Sequence, residues 1–237
     1  VAVSYLQQLE ELYPQNIRIK LELARQLFGV GQINSAYALI KPFLGYQPQT
    51  ADDWRAQLLN YQIQKNITFA VEPSNKQARR NEEKKLFELS KQFTNAPISN
   101  LDFLQLSLDA IYLDEIPQAK QFYQRVSFNR NFKLADTILA AQIGLALGNY
   151  KKSAAFYFKA QQLAENYDEK KRYYLSALRT LQQGNYLNEA LYAAQANIGE
   201  FRQDKDVLTF LTGLALASNR PDLAQKYVKQ ALELQKK

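Results

Sequence analysis

GNYKKSA (Gly148 to Ala154) and GNYLNEA (Gly184 to Ala190) say nearly the same thing 36 residues apart. Aligned on the small residue that closes each phrase, LDEIPQA ends at Ala119 and SNRPDLA at Ala224, so the intervals are 35, 36 and 34. A period near 35 kept over four copies predicts a repeat architecture, in which each unit covers its neighbour's apolar face. Helical patterns flank each phrase. Before GNYKKSA, Leu134, Ile138, Ala141 and Leu145 recur at i, i+4, i+7 and i+11, with Leu139 and Ala146 on a second line. After it, Ala154, Ala155, Tyr157, Phe158, Ala160 and Leu163 form a second helix. The phrase is therefore the turn of an αα-hairpin, with Gly148 and Gly184 expected at the positive-φ position that closes a helix. Pro117 and Pro221 fall where the following helix begins, a position that tolerates proline because its missing N–H has no intrahelical partner.

Composition narrows the chemistry. The 237 residues contain no Cys and no His, which removes thiolate and imidazole metal ligands, a Cys nucleophile and any Ser-His-Asp triad. The adjacent carboxylates Glu10/Glu11, Asp52/Asp53 and Glu82/Glu83 would diverge by about 100° on a helix, so they do not converge on a substrate. The chain is expected to be non-catalytic, with no cofactor and no metal. Net charge is +7, which favours acidic partners, but the cations are dispersed and KQARRNEEKK (Lys76 to Lys85) mixes signs, as on a solvated helix face. No apolar run is long enough to span a membrane, and no membrane contact is expected. The opening VAVSYLQQLEELYPQN has neither a basic n-region nor an apolar h-region, and Met is absent throughout, so the chain is expected to be a fragment of a longer one.

On these residues the chain resembles the tetratricopeptide repeat (TPR) family. Leu23, Ala24, Leu27, Gly31, Ala36, Ile40 and Pro48 match its pattern, as do Ala141, Gly148, Tyr150, Tyr157 and Ala160, then Ala177, Gly184, Tyr186 and Ala190. The phrase GNYxxxA is one residue longer than the family's G-D-Y-x-x-A. The resemblance implies an all-α, right-handed TPR superhelix (α-solenoid) of about six helical hairpins plus a leading helix. The expected segments are 1–15, the second helix of a truncated repeat; 16–50; an irregular repeat at 51–97; 98–132; 133–167; 168–203; and 204–237, beyond which the chain is expected to continue. Pro14 and Pro48 are each read as ending a second helix. Most of the 15 Tyr and 13 Phe fall at positions the family buries.

The period breaks between Ala36 and Ala119, which are 83 residues apart. ADDWRAQLLNYQ reads as a first helix, ITFAVEPSNKQARRNEE as an enlarged inter-helix loop, and about Arg79 to Phe93 as the second helix. That loop, 71–83, is either a tolerated insertion or a docking element. GVGQIN (Gly29 to Asn34) lacks the strand and third glycine of a phosphate loop and is a helix-to-helix turn.

Some TPR adaptors clamp a peptide carboxylate with Lys and Asn at defined first-helix positions. Here those places hold Leu21 and Arg25, Ile138 and Gln142, and Tyr174 and Leu178, so that clamp is absent. What the groove offers instead is Arg18, Leu21, Arg25 and Phe28, with Arg55 and Leu59 beside them, an amphipathic basic line that is either a seat for an acidic or extended protein segment or only a solvated edge. The resemblance implies a protein–protein interaction scaffold. The Cys-free, Gln/Asn/Tyr-rich composition looks like the periplasmic TPR region that precedes the outer-membrane β-barrel of exopolysaccharide export proteins of the Pel, cellulose and poly-N-acetylglucosamine type. A partner would then be a periplasmic polysaccharide-modifying enzyme, or the polysaccharide itself. A cytoplasmic TPR regulatory adaptor and a basic helical-repeat nucleic-acid binder remain as alternatives, although no nucleic-acid partner is expected.

Overall fold

A computed structural model describes residues 2–235. Among them are thirteen α-helices and no strand. After a leading helix α1 (Ala2–Leu12) come six helix pairs: α2 (Ile17–Gly29) and α3 (Ile33–Ile40), α4 (Ala51–Ala70) and α5 (Lys76–Ser90), α6 (Asn100–Tyr112) and α7 (Ile116–Arg125). The remaining pairs are α8 (Leu134–Ala146) and α9 (Tyr150–Leu163), α10 (Tyr167–Gln183) and α11 (Leu187–Asn197), and α12 (Lys205–Ala217) and α13 (Pro221–Leu234). The chain divides into two compact units. The first comprises the residues up to Asp102 with Asp109–Gln118, and the second comprises Phe103–Leu108 with Ala119 onward.

Five of the hairpins turn in the same way. The residues at the turn are Gly31, Asp114, Gly148, Asn185 and Asn219, all with φ between 56° and 82°. Around Gly148, the Asn149 N–H donates to Gly144 O at 2.8 Å and the Gly148 N–H to Leu145 O at 3.1 Å, the paired bonds of a Schellman motif that satisfy the last carbonyls of α8. The same pair recurs at the other four turns, for example Tyr186 N–H to Leu181 O and Asn185 N–H to Gln182 O. The next helix starts two residues after the left-handed residue every time.

That register corrects the reading of the two quoted phrases. In GNYKKSA the left-handed residue is the glycine, Gly148, but in GNYLNEA it is Asn185, while Gly184 has an ordinary φ of −78°. The phrases are used one residue out of step. Successive left-handed residues from Asp114 to Asn219 are thus 34, 37 and 34 apart. The three additional residues accompany α10, which has 17 residues where α2, α6, α8 and α12 have 13. Five residues beyond each left-handed position lies a buried small side chain: Ala36, Ala119, Ser153, Ala190 and Ala224. Ser153, not Ala154, fills that place in the first phrase, and its hydroxyl donates to Ala141 O at 2.6 Å, so the extra residue seen against G-D-Y-x-x-A disappears.

Gly184 is retained for space. A Cβ built there would lie 2.7 to 2.8 Å from the Cβ, Cγ and Cδ2 atoms of Tyr150, the tyrosine of the other phrase. Gly148 meets nothing within 4 Å and is needed for its φ of +72°. Two near-identical glycines therefore answer different constraints. Asn185→Gly is expected to be neutral or to stabilise by a few tenths of a kcal/mol, whereas Gly184→Ala destabilises by about 1–3 kcal/mol through overpacking against Tyr150. Urea unfolding of the two variants checks this; equal effects would contradict the register.

The irregular hairpin also differs from its expectation. Residues 67–70 continue α4, so the connection to α5 is only Val71 to Asn75 and the additional length lies in the helices. Thr68 is fully buried, and its hydroxyl back-bonds to Gln64 O at 2.8 Å, which lets a β-branched polar residue stay in the helix. The C-terminal end of α4 has no cation of its own. Arg79 of α5 supplies one, donating to Thr68 O at 2.8 Å and Val71 O at 3.3 Å while lying over the Phe69 ring. At the other end Thr50 and Asp53 form a capping box. Nor does Pro48 end a second helix: α3 stops at Ile40 and gives way to a 3-10 turn, Lys41–Phe43, that contains Pro42. Fewer than half of the Tyr and Phe side chains are fully buried, and Tyr5, Tyr13, Tyr112 and Tyr192 are more than half exposed.

Asp53 gives the first unit an acid-sensitive point. The Tyr46 hydroxyl donates to it at 2.7 Å, as do the Gln49 and Thr50 N–H groups at 3.0 and 2.8 Å. These bonds, the tyrosine's foremost, bring its carboxyl down from 3.8 to about 2. Because the folded value is the lower one, the stabilisation is fully present above pH ~4 and is lost as pH falls toward 2, about 1–2 kcal/mol in all. Asp53→Asn should flatten the stability profile in that window, as read by urea midpoints between pH 2 and 5; an unaltered profile would contradict the assignment.

Candidate interaction groove

The first-helix rows of the first unit define a groove with a cavity volume of ≈ 470 Å³. Helix α2 contributes Arg18, Leu21, Glu22 and Arg25, spaced three to four residues so that they share one face, and α4 contributes Asp52, Arg55, Leu58, Leu59 and Gln62 by the same spacing. Asp102, near the start of α6, completes the wall. Leu21 and Leu59 are buried and form the floor, while Arg18, Arg25 and Arg55 are exposed at the rim. Five of the six residues picked from the sequence thus line one concavity. Phe28 does not; it is half-buried and packs on the core cluster of Leu21, Leu23 and Leu27.

The charge of this surface differs from the expected basic line. Asp52 accepts from Arg18 Nε at 2.9 Å and from an Arg55 guanidinium N–H at 2.8 Å, one carboxylate holding two guanidinium groups. Arg25 faces Glu22 at 3.4 Å. Asp102 is occupied at the α6 N-terminus, where it accepts from the Ser99 N–H at 3.1 Å. With three arginines set against three carboxylates, the lining is formally neutral. Both guanidinium groups at Asp52 keep further N–H donors for a ligand, in orientations the carboxylate fixes. The groove therefore offers oriented donors and an apolar floor rather than bulk positive potential. Asp52, Glu22 and Gln62 were not picked from the sequence, although extending the Arg55/Leu59 row by one turn each way reaches both Asp52 and Gln62.

The absent carboxylate clamp has a structural counterpart: Tyr174 and Leu178 are fully buried in the core of the second unit and cannot meet a ligand. Among the described residues, no group of three or more carboxylates is placed to hold a metal ion, and no helix is long and apolar enough to cross a membrane.

Tandem helix pairs, five of the six joined by one recurrent turn, with a groove along the first helices of the first unit, define an all-α fold of the TPR type. Among solved structures, the chain is similar to TTC0263, a thermophilic TPR protein of Thermus thermophilus, with 19% identity, a TM-score of 0.53, and coverage of 75% of this chain and 89% of that one. It also matches the APC/C hetero-tetramer Cut9-Hcn1 with 13% identity and a TM-score of 0.43, over 97% of this chain and 42% of that one. No family model matches the chain, and no curated protein does. The likeness to the Thermus protein is one of fold.

Proposed function

We propose that the chain is a non-catalytic protein-interaction scaffold whose partner lies in the groove of α2, α4 and α6. The observation that carries this reading is the Asp52-centred pair of arginines over a leucine floor, an arrangement that orients donors toward an extended segment without adding to the core. The TPR-type fold supports protein partners in general. Exchanging Arg25 and Arg55 for Gln is expected to reduce recovery of the native partner at least tenfold while leaving helicity unchanged and shifting the thermal midpoint only slightly, since both side chains are exposed. Full recovery by that double variant would contradict the groove assignment.

The finer reading places the scaffold in the periplasmic part of a bacterial exopolysaccharide secretion apparatus, where it recruits a polysaccharide-modifying enzyme or guides polymer to an outer-membrane pore. Its support is the Cys-free, Gln/Asn/Tyr-rich composition and the resemblance to TPR segments of such systems. The full open reading frame tests it. A secretory leader upstream and alternating strands of about ten residues downstream are the expected finding; a frame with neither would reject the periplasmic assignment and leave the scaffold intact.

A further inference from the structure

Lys76 to Lys91 reads as a mixture of signs, but the fold sorts it. On α5, Arg79 is paired with Glu83 at 2.9 Å and Lys85 with Glu82 at 2.7 Å, while Glu88 takes Lys91 of the following turn at 2.7 Å. Gln64 of α4 also donates to Glu82 at 2.7 Å. Every carboxylate of the helix is thereby engaged. The cations left over are Lys76, Arg80 and Lys84, all exposed and none in an ion pair among the described residues. They stand at i, i+4 and i+8, one row with about 6 Å between neighbours along the axis.

The first member of the row, Lys76, is also placed against the helix's own field. The first turn of α5 contains Lys76 and no acidic residue, so positive side chains sit at the end where the backbone N–H groups already present positive potential. Such an arrangement costs stability in the free protein and is relieved by an anionic neighbour. The nearest acid in sequence on the N-terminal side, Glu72, is exposed and enters no ion pair among the described residues. On the far flank of α5, about 160–180° around the axis from Arg80, Ala78 and Leu89 are the apolar part of a shallow groove of ≈ 850 Å³ that Glu82 and Glu88 also line.

We infer that this outer face of α5 docks an acidic helical segment of a protein partner, with carboxylates four residues apart meeting Lys76, Arg80 and Lys84. A nucleic acid fits less well. The engaged carboxylates Glu82, Glu83 and Glu88 lie among the cations and oppose a polyanion, whereas a helix presents charge only along its row. The inference rests on the scaffold reading but uses a surface separate from the α2–α4–α6 groove.

The test is a titration of the whole chain with a capped helical peptide of about 20 residues carrying Glu at every fourth position, against the same peptide with Gln in those places and against oligo-dT. Binding of the Glu peptide alone is expected at low salt, weakening as salt rises. Exchanging Lys76, Arg80 and Lys84 for Glu should weaken it at least tenfold, and exchanging Lys226 and Lys229 for Glu should leave it unchanged. The Arg25/Arg55 groove variant should bind the peptide normally, so failure here and failure of the groove reading are distinct results. No binding, equal binding of the Gln peptide, an indifferent triple variant, or tighter binding of oligo-dT to the same row would each overturn the inference.

Discussion

Replacing Asp109 with Ala is expected to cost about 3 kcal/mol of unfolding free energy. Asp109 is almost fully buried on α6 and accepts from the Tyr61 hydroxyl at 2.9 Å and from Lys65 Nζ at 2.6 Å, both on α4. Burial, and next the charge of Asp109 itself, hold the Tyr61 hydroxyl well above its ordinary value, so it remains a donor at every physiological pH. Truncation leaves a buried hydroxyl and a largely buried ammonium without this acceptor. Removing one partner of a buried pair typically costs 3–5 kcal/mol, and the lower end applies because Lys65 can turn partly to water. Asp109→Asn keeps an acceptor and should cost about half as much. Urea unfolding measures the loss, and amide exchange should locate it in α4. A cost below about 1 kcal/mol would mean the pair is solvated rather than structural. The consequence reaches the groove, since the α4 that Asp109 anchors also carries Asp52, Arg55 and Leu59.

In the second unit the largest expected effect is that of Phe201→Ala, about 3–5 kcal/mol. Phe201 is fully buried in a 3-10 turn, Gly199–Gln203, that follows α11. Its ring lies 5.3 Å from both Tyr167 and Tyr174 of α10, edge-on to the first and tilted to the second. Tyr174 is fully buried too, and its hydroxyl donates to Ala194 O of α11 at 2.9 Å. The phenylalanine therefore holds a tyrosine whose hydrogen bond ties the two helices of that hairpin together. Loss of the ring removes a large buried apolar area and frees Tyr174 to leave its acceptor. Phe201→Leu should retain more than half of the stability. A lowered denaturation midpoint with an unchanged m-value is the expected signature; a shift under about 1 kcal/mol would show that the turn is not part of the core.

The hairpins were legible from the sequence because apolar residues at a 3.6 period and a small residue after each turn are consequences of helices crossing closely. The register of GNYLNEA was not legible. Asn tolerates the left-handed conformation nearly as well as Gly, so GN offers two candidates for one position, and only the close approach of Tyr150 to Gly184 decides between them. Helix α4 runs beyond the span its sequence pattern marks, for a different reason. It buries Asp52, Ala56, Leu59, Tyr61, Ile63 and Thr68 on several sides, which leaves no single apolar stripe, and Ile67-Thr68-Phe69 ahead of Pro73 has the composition of a loop. The groove was readable as a row on α2 and α4, but its neutrality was not, because Arg18 meets Asp52 across 34 residues of sequence. On α5 the same effect works in reverse: pairing within the helix exposes a cationic row that the order of residues conceals.

The most direct test of the groove as the partner-binding surface is site-specific photo-cross-linking in the native host. A photoreactive residue would be placed singly at Arg25, Arg55 and Gln62, and at Lys226 on α13 for comparison. One adduct of common mass is expected from all three groove positions, and none of that mass from Lys226. No adduct in the groove, or the same adduct from Lys226, would contradict the groove assignment.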